Sequence, residues 1–468
     1  MKEITVKNIL EVTDGELIIG NQEQTCKVFS KDTRIINPGD VYIGIRGEAF
    51  DGSEFWKEAF EKGASCVIVE NIDFAEENLE KYKGKTIIKV KNTLEALYNI
   101  ARFKRESYNI PVIAITGSVG KTSTKDIIAN VVSQKFKTLK TIGNNNNNIG
   151  LPFTILRLED EEAMVLEMGM NHLGEIALLT SIAKPDICVI TNIGTSHIGN
   201  LGSRENILKA KLEILEGNKD PIVIINNDND LLHKWYEENK NKFQIKTFGI
   251  NNKSNIMAKN IVLEKEKSTY DCILNKKEYK IKVPVGGEHF VLNSLCASLV
   301  GETLNIQPEK ILKGIESFEL TKRRMDITVL SNGVKIINDA YNASFESVQA
   351  SLKYLSEFKE NRKIAVLGDM FELGNYAEEL HKNLGKEVVK NQIDILICAG
   401  ENAEYIAKQA EIEGMSKEKI YYFTDKEEII KVIKKILDKD DVVLFKASNG
   451  MKFFDLVEEI KLEHLQSH

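Results

Sequence analysis

Apolar positions along this chain follow two periods, and the change from one to the other marks the elements. Short runs dense in Val and Ile, VYIGIRG (41–47), SCVIVE (65–70) and KTIIKV (85–90), predict strands. The segments 54–62 and 94–108 carry apolar residues at helical spacing, and Pro111 then marks a natural boundary. Beyond it the order becomes strand, glycine-rich turn, helix: PVIAIT, then GSVGKTS, then TKDIIANVVSQ (111–134). Further apolar runs at AMVLEM (163–168), ICVITNIG (187–194) and PIVIINND (221–228) predict more strands. A strand-rich patch over 269–284 precedes a helix over 288–304.

Near 317–322 the chain is expected to enter a third unit, where KIAVLGDM (363–370), IDILICAG (393–400) and DVVLFKAS (441–448) alternate with helices such as 378–390. Strands that alternate with helices imply parallel sheets covered on both faces. The pattern predicts an α/β protein of three modules: residues 1–104, a central module 105–318, and a Rossmann-like module 319–468. Its 468 residues exceed what a single core ordinarily organises, which agrees with that division.

Composition narrows the function classes. A net charge of -7 argues against a general nucleic-acid binder, while a local backbone nest for phosphate remains compatible with it. No run approaches the roughly 20 apolar residues that span a bilayer, and MKEITVKNIL is too polar for a secretory signal. The six cysteines are scattered without CxxC spacing and read as buried thiols of a reducing compartment. The expectation is a cytoplasmic protein with no membrane insertion and no nucleic-acid partner.

The candidate chemistry lies at the ends of the central strands. Gly117, Ser118, Val119, Gly120, Lys121, Thr122 and Ser123 follow a strand and open a helix. Backbone N–H groups in such a turn, with the helix N-terminus behind them, suit a nucleotide polyphosphate. Lys121 would supply a cation, and the Thr122 hydroxyl a ligand for Mg²⁺. Ile115 stands where the longer GxxxxGK[ST] pattern requires glycine, so only the shorter GxxGKT form is met. A glycine-rich turn with a surface lysine is the alternative. Glu167 ends the AMVLE strand and is placed to hold Mg²⁺, or else is a surface carboxylate. His197 follows the next strand, although Mg²⁺ prefers oxygen ligands. Lys211, on a charged helix, reads as a solvated lysine. Asn144 to Asn148 reads as a polar tract or a turn-rich binding loop.

Taken in order, these motifs resemble the Mur ligases over nearly the whole chain. The resemblance is carried by TGSVGKT (116–122), TIGNNNNNIGLP (141–152), LEMGM (166–170), TNIGTSHI (191–198) and AKLEI (210–214). It continues through GGEHFVLN (286–293), RRMDI (323–327), INDAYNAS (337–344) and VLGDMFELG (366–374). It implies an ATP-binding central domain, a UDP-substrate-binding N-terminal domain and a C-terminal domain that closes on ATP and meets the incoming amine. Asn144, Asn146 and Asn147 would face the UDP-linked substrate, and Glu167 and His197 would serve two Mg²⁺ ions. Lys211 matches a lysine carried as a carbamate, which would become an oxygen ligand. Asn293 would lie beside the base, and Arg324, Asn338, Asp339 and Tyr341 would meet ATP on closure.

In the N-terminal module the resemblance points to Thr33, Arg34, Arg46 and Gly47 for the UDP moiety. Here Thr33 replaces Ser, Arg46 replaces Lys and Ser53 replaces His of the family pattern, and Lys446 to Gly450 departs from its KGSRG. The INDAYNAS stretch is similar to family members that add D-alanyl-D-alanine to a UDP-N-acetylmuramoyl-tripeptide, whose third residue stays open between lysine and diaminopimelate. The implied reaction is ATP-dependent amide formation through an acyl phosphate, by a monomer. A ligase with another acceptor, of Mur or folylpolyglutamate type, and a P-loop regulatory ATPase are the alternatives.

Overall fold

The computed structural model describes residues 3–47, 50–73, 80–320 and 324–466; Arg323 of the quoted RRMDI lies outside them. The N-terminal module is built on five strands, β1 (Glu16–Ile19), β2 (Phe29–Ser30), β3 (Val41–Ile43), β4 (Cys66–Val69) and β5 (Thr86–Lys89). Their order is β1-β5-β4-β3-β2, with β1 antiparallel to β5 and the rest parallel. Helix α1 (Thr93–Glu106) follows, capped by Asn92, and joins this module to the next. Its buried Arg105 donates from Nε to the carbonyl of Ala183, 2.8 Å away, at the end of helix Glu175–Ala183. A cation at a helix C-terminus meets the unsatisfied carbonyls favourably.

The central sheet contains β6 (Val112–Thr116), β7 (Thr138–Lys140), β8 (Ala163–Glu167), β9 (Ile187–Ile190), β10 (Ile222–Asn226), β11 (Gln244–Gly249) and β12 (Ile256–Met257). It runs β12-β11-β10-β9-β6-β8-β7, parallel throughout. β6, β8 and β9 are buried at every residue, as sheets covered on both faces require. Because the chain leaves β6 in one direction and returns to its other side at β9, the carboxyl ends of β8, β6 and β9 open onto one crevice. Helix α2 (Lys121–Val132) begins directly after the β6 turn. Beyond β12 an antiparallel sheet, Lys259–Leu263, Ser268–Leu274 and Lys277–Val283, leads to helix α3 (Glu288–Thr303).

The third module has six strands: β13 (Asp326–Val329), β14 (Lys335–Asn338), β15 (Lys363–Gly368), β16 (Ile395–Ala399), β17 (Ile420–Phe423) and β18 (Val442–Lys446). Their order, β13-β14-β18-β15-β16-β17, is parallel except for the β13–β14 pair. The three-module α/β architecture is therefore present. No helix among the described residues is long and apolar enough to cross a membrane. All six cysteines are buried free thiols.

Candidate active site

The turn after β6 is held by the strand beside it. The N–H of Ser118 donates to the carbonyl of Asn192 at 3.1 Å, and that of Val119 to Asn192 Oδ1 at 2.9 Å. Thr191 Oγ1 and Asn192 Nδ2 both donate to the Val119 carbonyl, at 2.8 and 3.1 Å. Gly117 takes φ +152, and a Cβ there would lie 1.9 Å from Thr191 Oγ1, so only glycine permits this approach. The turn is thus shaped before any ligand arrives. Motif reading singled out His197 from this stretch and gave Thr191 and Asn192 no role, although both begin the quoted TNIGTSHI.

A cavity of about 580 Å³ opens above the turn. It is lined by Ser118 to Ser123, by Asn144, Asn146, Asn147, Glu167, His197 and Asn293, and from the third module by Arg324, Asp339 and Tyr341. Three modules' motifs do not all meet here, however. Thr33, Arg34, Arg46 and Gly47 belong to the N-terminal module and do not line it, nor do Gly117, Asn338 and Lys211. The Thr33 hydroxyl donates to Glu58 at 2.9 Å, and Arg34 forms a two-pronged contact with Asp32 at 2.8 and 2.6 Å. Arg46 pairs with Asp51 at 2.7 Å, and that contact holds the Asp51 carboxyl down at about 2. Gly47 donates its N–H to the Phe50 carbonyl. Ser53 is fully buried and accepts from the Glu70 N–H, a scaffold position.

The five asparagines form an ordered loop whose members are individually engaged. Asn146 Nδ2 donates to Glu167 Oε1 at 2.8 Å, Asn147 Oδ1 caps the Gly150 N–H at 2.8 Å, and Asn148 reaches Tyr98 of α1 at 3.1 Å. Glu167 is 2% exposed, and its other oxygen, Oε2, is buried without a hydrogen-bond partner. A buried carboxylate oxygen left bare is costly, and a cation is the natural complement. Among the described residues no three His, Cys, Asp or Glu side chains converge as a metal cage. That arrangement suits Mg²⁺, which takes one or two carboxylates and completes its shell from phosphate and water.

Lys121 Nζ donates to the Gly117 carbonyl at 2.8 Å, and burial pulls its pKa below the ordinary lysine value, against the opposing influence of Glu167. Lys211 corrects the sequence reading. It is 2% exposed, not solvated, because Ile207, Ala210 and Lys211 share the inward stripe of helix Arg204–Leu212 at i, i+3 and i+4. Desolvation, reinforced by the positive charge of Lys121, pushes its pKa well down.

In the third module Asp339 is gripped from three sides. Lys446 Nζ sits on Oδ2, Ser351 donates to the same oxygen at 2.7 Å, and the Met325 N–H donates to Oδ1 at 3.2 Å. This fixes the start of β13, next to which the Arg324 guanidinium stacks 4.0 Å above the Tyr341 ring. Asn338 Oδ1 accepts from the Ala340 N–H, a turn contact. Glu346 and Glu372 also reach from this module to the loop after β9, and the motif reading assigned neither a role.

Three family models match this chain in succession. The family described as Mur ligase middle domain matches residues 115–301. "Mur ligase family, catalytic domain" matches 29–105, and "Mur ligase, glutamate ligase domain" matches 323–449. The chain belongs to the Mur ligase family. Among its Mur ligase relatives, the UDP-N-acetylmuramoyl-tripeptide--D-alanyl-D-alanine ligase of Bacillus subtilis (strain 168) is 38% identical over 97% of this chain and 98% of its own length. A crystal structure of MurF from Acinetobacter baumannii superposes with a TM-score of 0.88 at 28% identity, covering 98% of this chain and 99% of that one. The MurF ligase from Thermotoga maritima, solved in complex with ADP, superposes at 0.81 with 30% identity, over 94% and 99%.

Proposed function

We propose that this Mur ligase joins D-alanyl-D-alanine to a UDP-N-acetylmuramoyl-tripeptide, consuming ATP and releasing ADP and phosphate in the cytoplasm. The relatives that match end to end carry that activity in their names. The observation that carries the reading is the single cavity in which a phosphate turn, the bare oxygen of Glu167 and the stacked Arg324 face one another.

Amide formation from a carboxylate needs activation, because oxide is a very poor leaving group. The tripeptide's terminal carboxylate attacks the γ-phosphorus of ATP, forming an acyl phosphate and releasing ADP. The dipeptide amine then attacks the acyl carbon and inorganic phosphate departs. The first step brings two anions together, so this site must supply positive charge where they meet. The N–H groups of Gly120, Lys121 and Thr122, at the start of α2, hold the polyphosphate, and the Lys121 side chain turns from the Gly117 carbonyl to the β- and γ-phosphates. Arg324, kept flat by Tyr341, faces the transferring phosphoryl group from the opposite wall. Asn293, on α3 beside the turn, bounds the nucleotide, while Asn144, Asn146 and Asn147 face the peptide-bearing substrate. Thr33, Arg34, Arg46 and Gly47 serve the UDP end.

Glu167 with Thr122 would hold one Mg²⁺, and His197 with Lys211 as its carbamate a second. When bound, these ions neutralise charge on the phosphoryl oxygens. The low pKa of Lys211 fits carbamate formation, which starts from a neutral amine. Docking of the third module keeps water away from the acyl phosphate.

Product mass tests the assignment. With UDP-N-acetylmuramoyl-tripeptide, ATP and a panel of dipeptides, D-alanyl-D-alanine is expected to give the condensed product and L-alanyl-L-alanine little. Condensation with single amino acids in preference to the dipeptide would assign a different acceptor.

A further inference from the structure

The third module enters the active site at one short loop of the central module. The Thr195 N–H donates to Glu346 Oε1 at 2.8 Å, and its hydroxyl to Oε2 at 3.1 Å. Four residues on, the Gly199 N–H donates to the carbonyl of Glu372 at 2.9 Å. Between these anchors the buried Nδ1 of His197 lies in close contact with Oε2 of Glu372, at an angle that falls short of a formed hydrogen bond. Both partners of that contact have left-handed backbone, His197 at φ +63 and Glu372 at φ +62. A side-chain-bearing residue holds that conformation where the surroundings over-determine it, and such positions gather at functional sites.

An imidazole has two nitrogens, and fixing one decides what the other can do. A carboxylate beside Nδ1 favours the tautomer with its proton there, which leaves Nε2 as a lone-pair donor. His197 lines the cavity, so the orientation that Glu372 imposes is one presented to the reaction chamber. The carboxylate that imposes it comes from a different module, 175 positions further along the chain.

We infer that Glu372 is a positioning residue for His197, and that this imidazole is set for a divalent cation only while the third module is docked. The inference rests on the proposed metal role of His197. Closure then does more than exclude water: it completes a ligand position, so metal occupancy and docking favour each other. Glu346, engaging Thr195 two residues away, anchors the same loop.

The test is Mn²⁺ affinity of the full-length protein in the presence of ADP, read from the paramagnetic signal of free Mn²⁺. His197→Ala is expected to weaken binding. Glu372→Ala is expected to weaken it by about tenfold or more, the usual cost of losing a group that orients a metal ligand. Glu372→Gln keeps an oxygen that can accept from Nδ1–H and is expected to recover most of the loss. The Glu372 side chain is 47% exposed, so its removal opens no core cavity. If His197→Ala weakens Mn²⁺ binding and Glu372→Ala leaves it unchanged, the positioning role is overturned. If His197→Ala itself has no effect, the metal role of His197 fails, and the inference fails with it.

Discussion

Lys121 and Glu167 line the same cavity and lie within electrostatic reach of each other. Lys121 is turned back on the Gly117 carbonyl, and Glu167 keeps one oxygen bare. Both are costs to the folded chain, which the proposed nucleotide and its metal would relieve. Lys121→Ala is expected to lower kcat by about 10²-fold at saturating ATP, the usual loss for a group that stabilises charge in the transition state. Steady-state kinetics of phosphate release checks it, and an unchanged rate would remove Lys121 from the phosphate site. His289, at the cavity wall, carries a second residue-scale expectation. Burial drives its pKa from 6.5 to about 4, outweighing the opposite influence of Asp339. Between those values the unfolded chain binds a proton that the folded chain does not, so this contribution to stability falls as pH drops from about 6.5 to about 4. His289→Gln removes it. The melting temperature of that variant is expected to decline less steeply with acidification than that of the unchanged protein. Glu167 and Lys121 were legible in the sequence because strand end and glycine turn are local signals. Lys211 was not, because a lysine on a charged helix gives no sign of burial until the helix is docked.

Among the elements, the loop after β9 does the most. It buttresses the phosphate turn through Thr191 and Asn192, then receives the third module at Thr195, His197 and Gly199. A Cβ on Gly199 would lie 2.6 Å from both the Glu372 carbonyl oxygen and the Gly374 nitrogen, backbone atoms that side-chain rotation cannot move. Gly199→Ala is therefore expected to push the third module off the loop. Small-angle scattering in the presence of ATP analogue and Mg²⁺ should give a larger radius of gyration than the unchanged protein, with kcat reduced. An equal radius and rate would show that docking tolerates the extra methyl. The buried central strands β6, β8, β9 and β10 were readable as apolar runs, since both faces of each are covered. The sheet margins were not. β13, with no fully buried residue, has an amphipathic surface that a propensity reading assigns equally to loop, and β2 is only two residues long.

At the scale of the molecule, three modules divide the labour that the reaction needs. The N-terminal module carries the residues proposed for the UDP end, which are not part of the cavity lining. The central module supplies the turn and the carboxylate proposed for phosphate and metal, and the third adds Arg324 to the same cavity. Family resemblance along the chain predicts the order of these modules, but contacts between them are long-range. Glu346 on Thr195 spans 151 positions, a pairing that no local pattern encodes. Such a division makes sense for a reaction that must bring two anions together, shield an acyl phosphate from water, and then admit an amine.

The central claim is that the peptide carboxylate is activated as its acyl phosphate before the amine attacks. Labelling both oxygens of the tripeptide's terminal carboxylate with ¹⁸O, and analysing the released phosphate by mass spectrometry, tests it directly. One ¹⁸O is expected in each inorganic phosphate formed during ligation with D-alanyl-D-alanine, because the bridging oxygen leaves with phosphorus when the amine attacks carbon. Unlabelled phosphate accompanying labelled amide product would mean that ATP is cleaved by water and that the carboxylate is never phosphorylated.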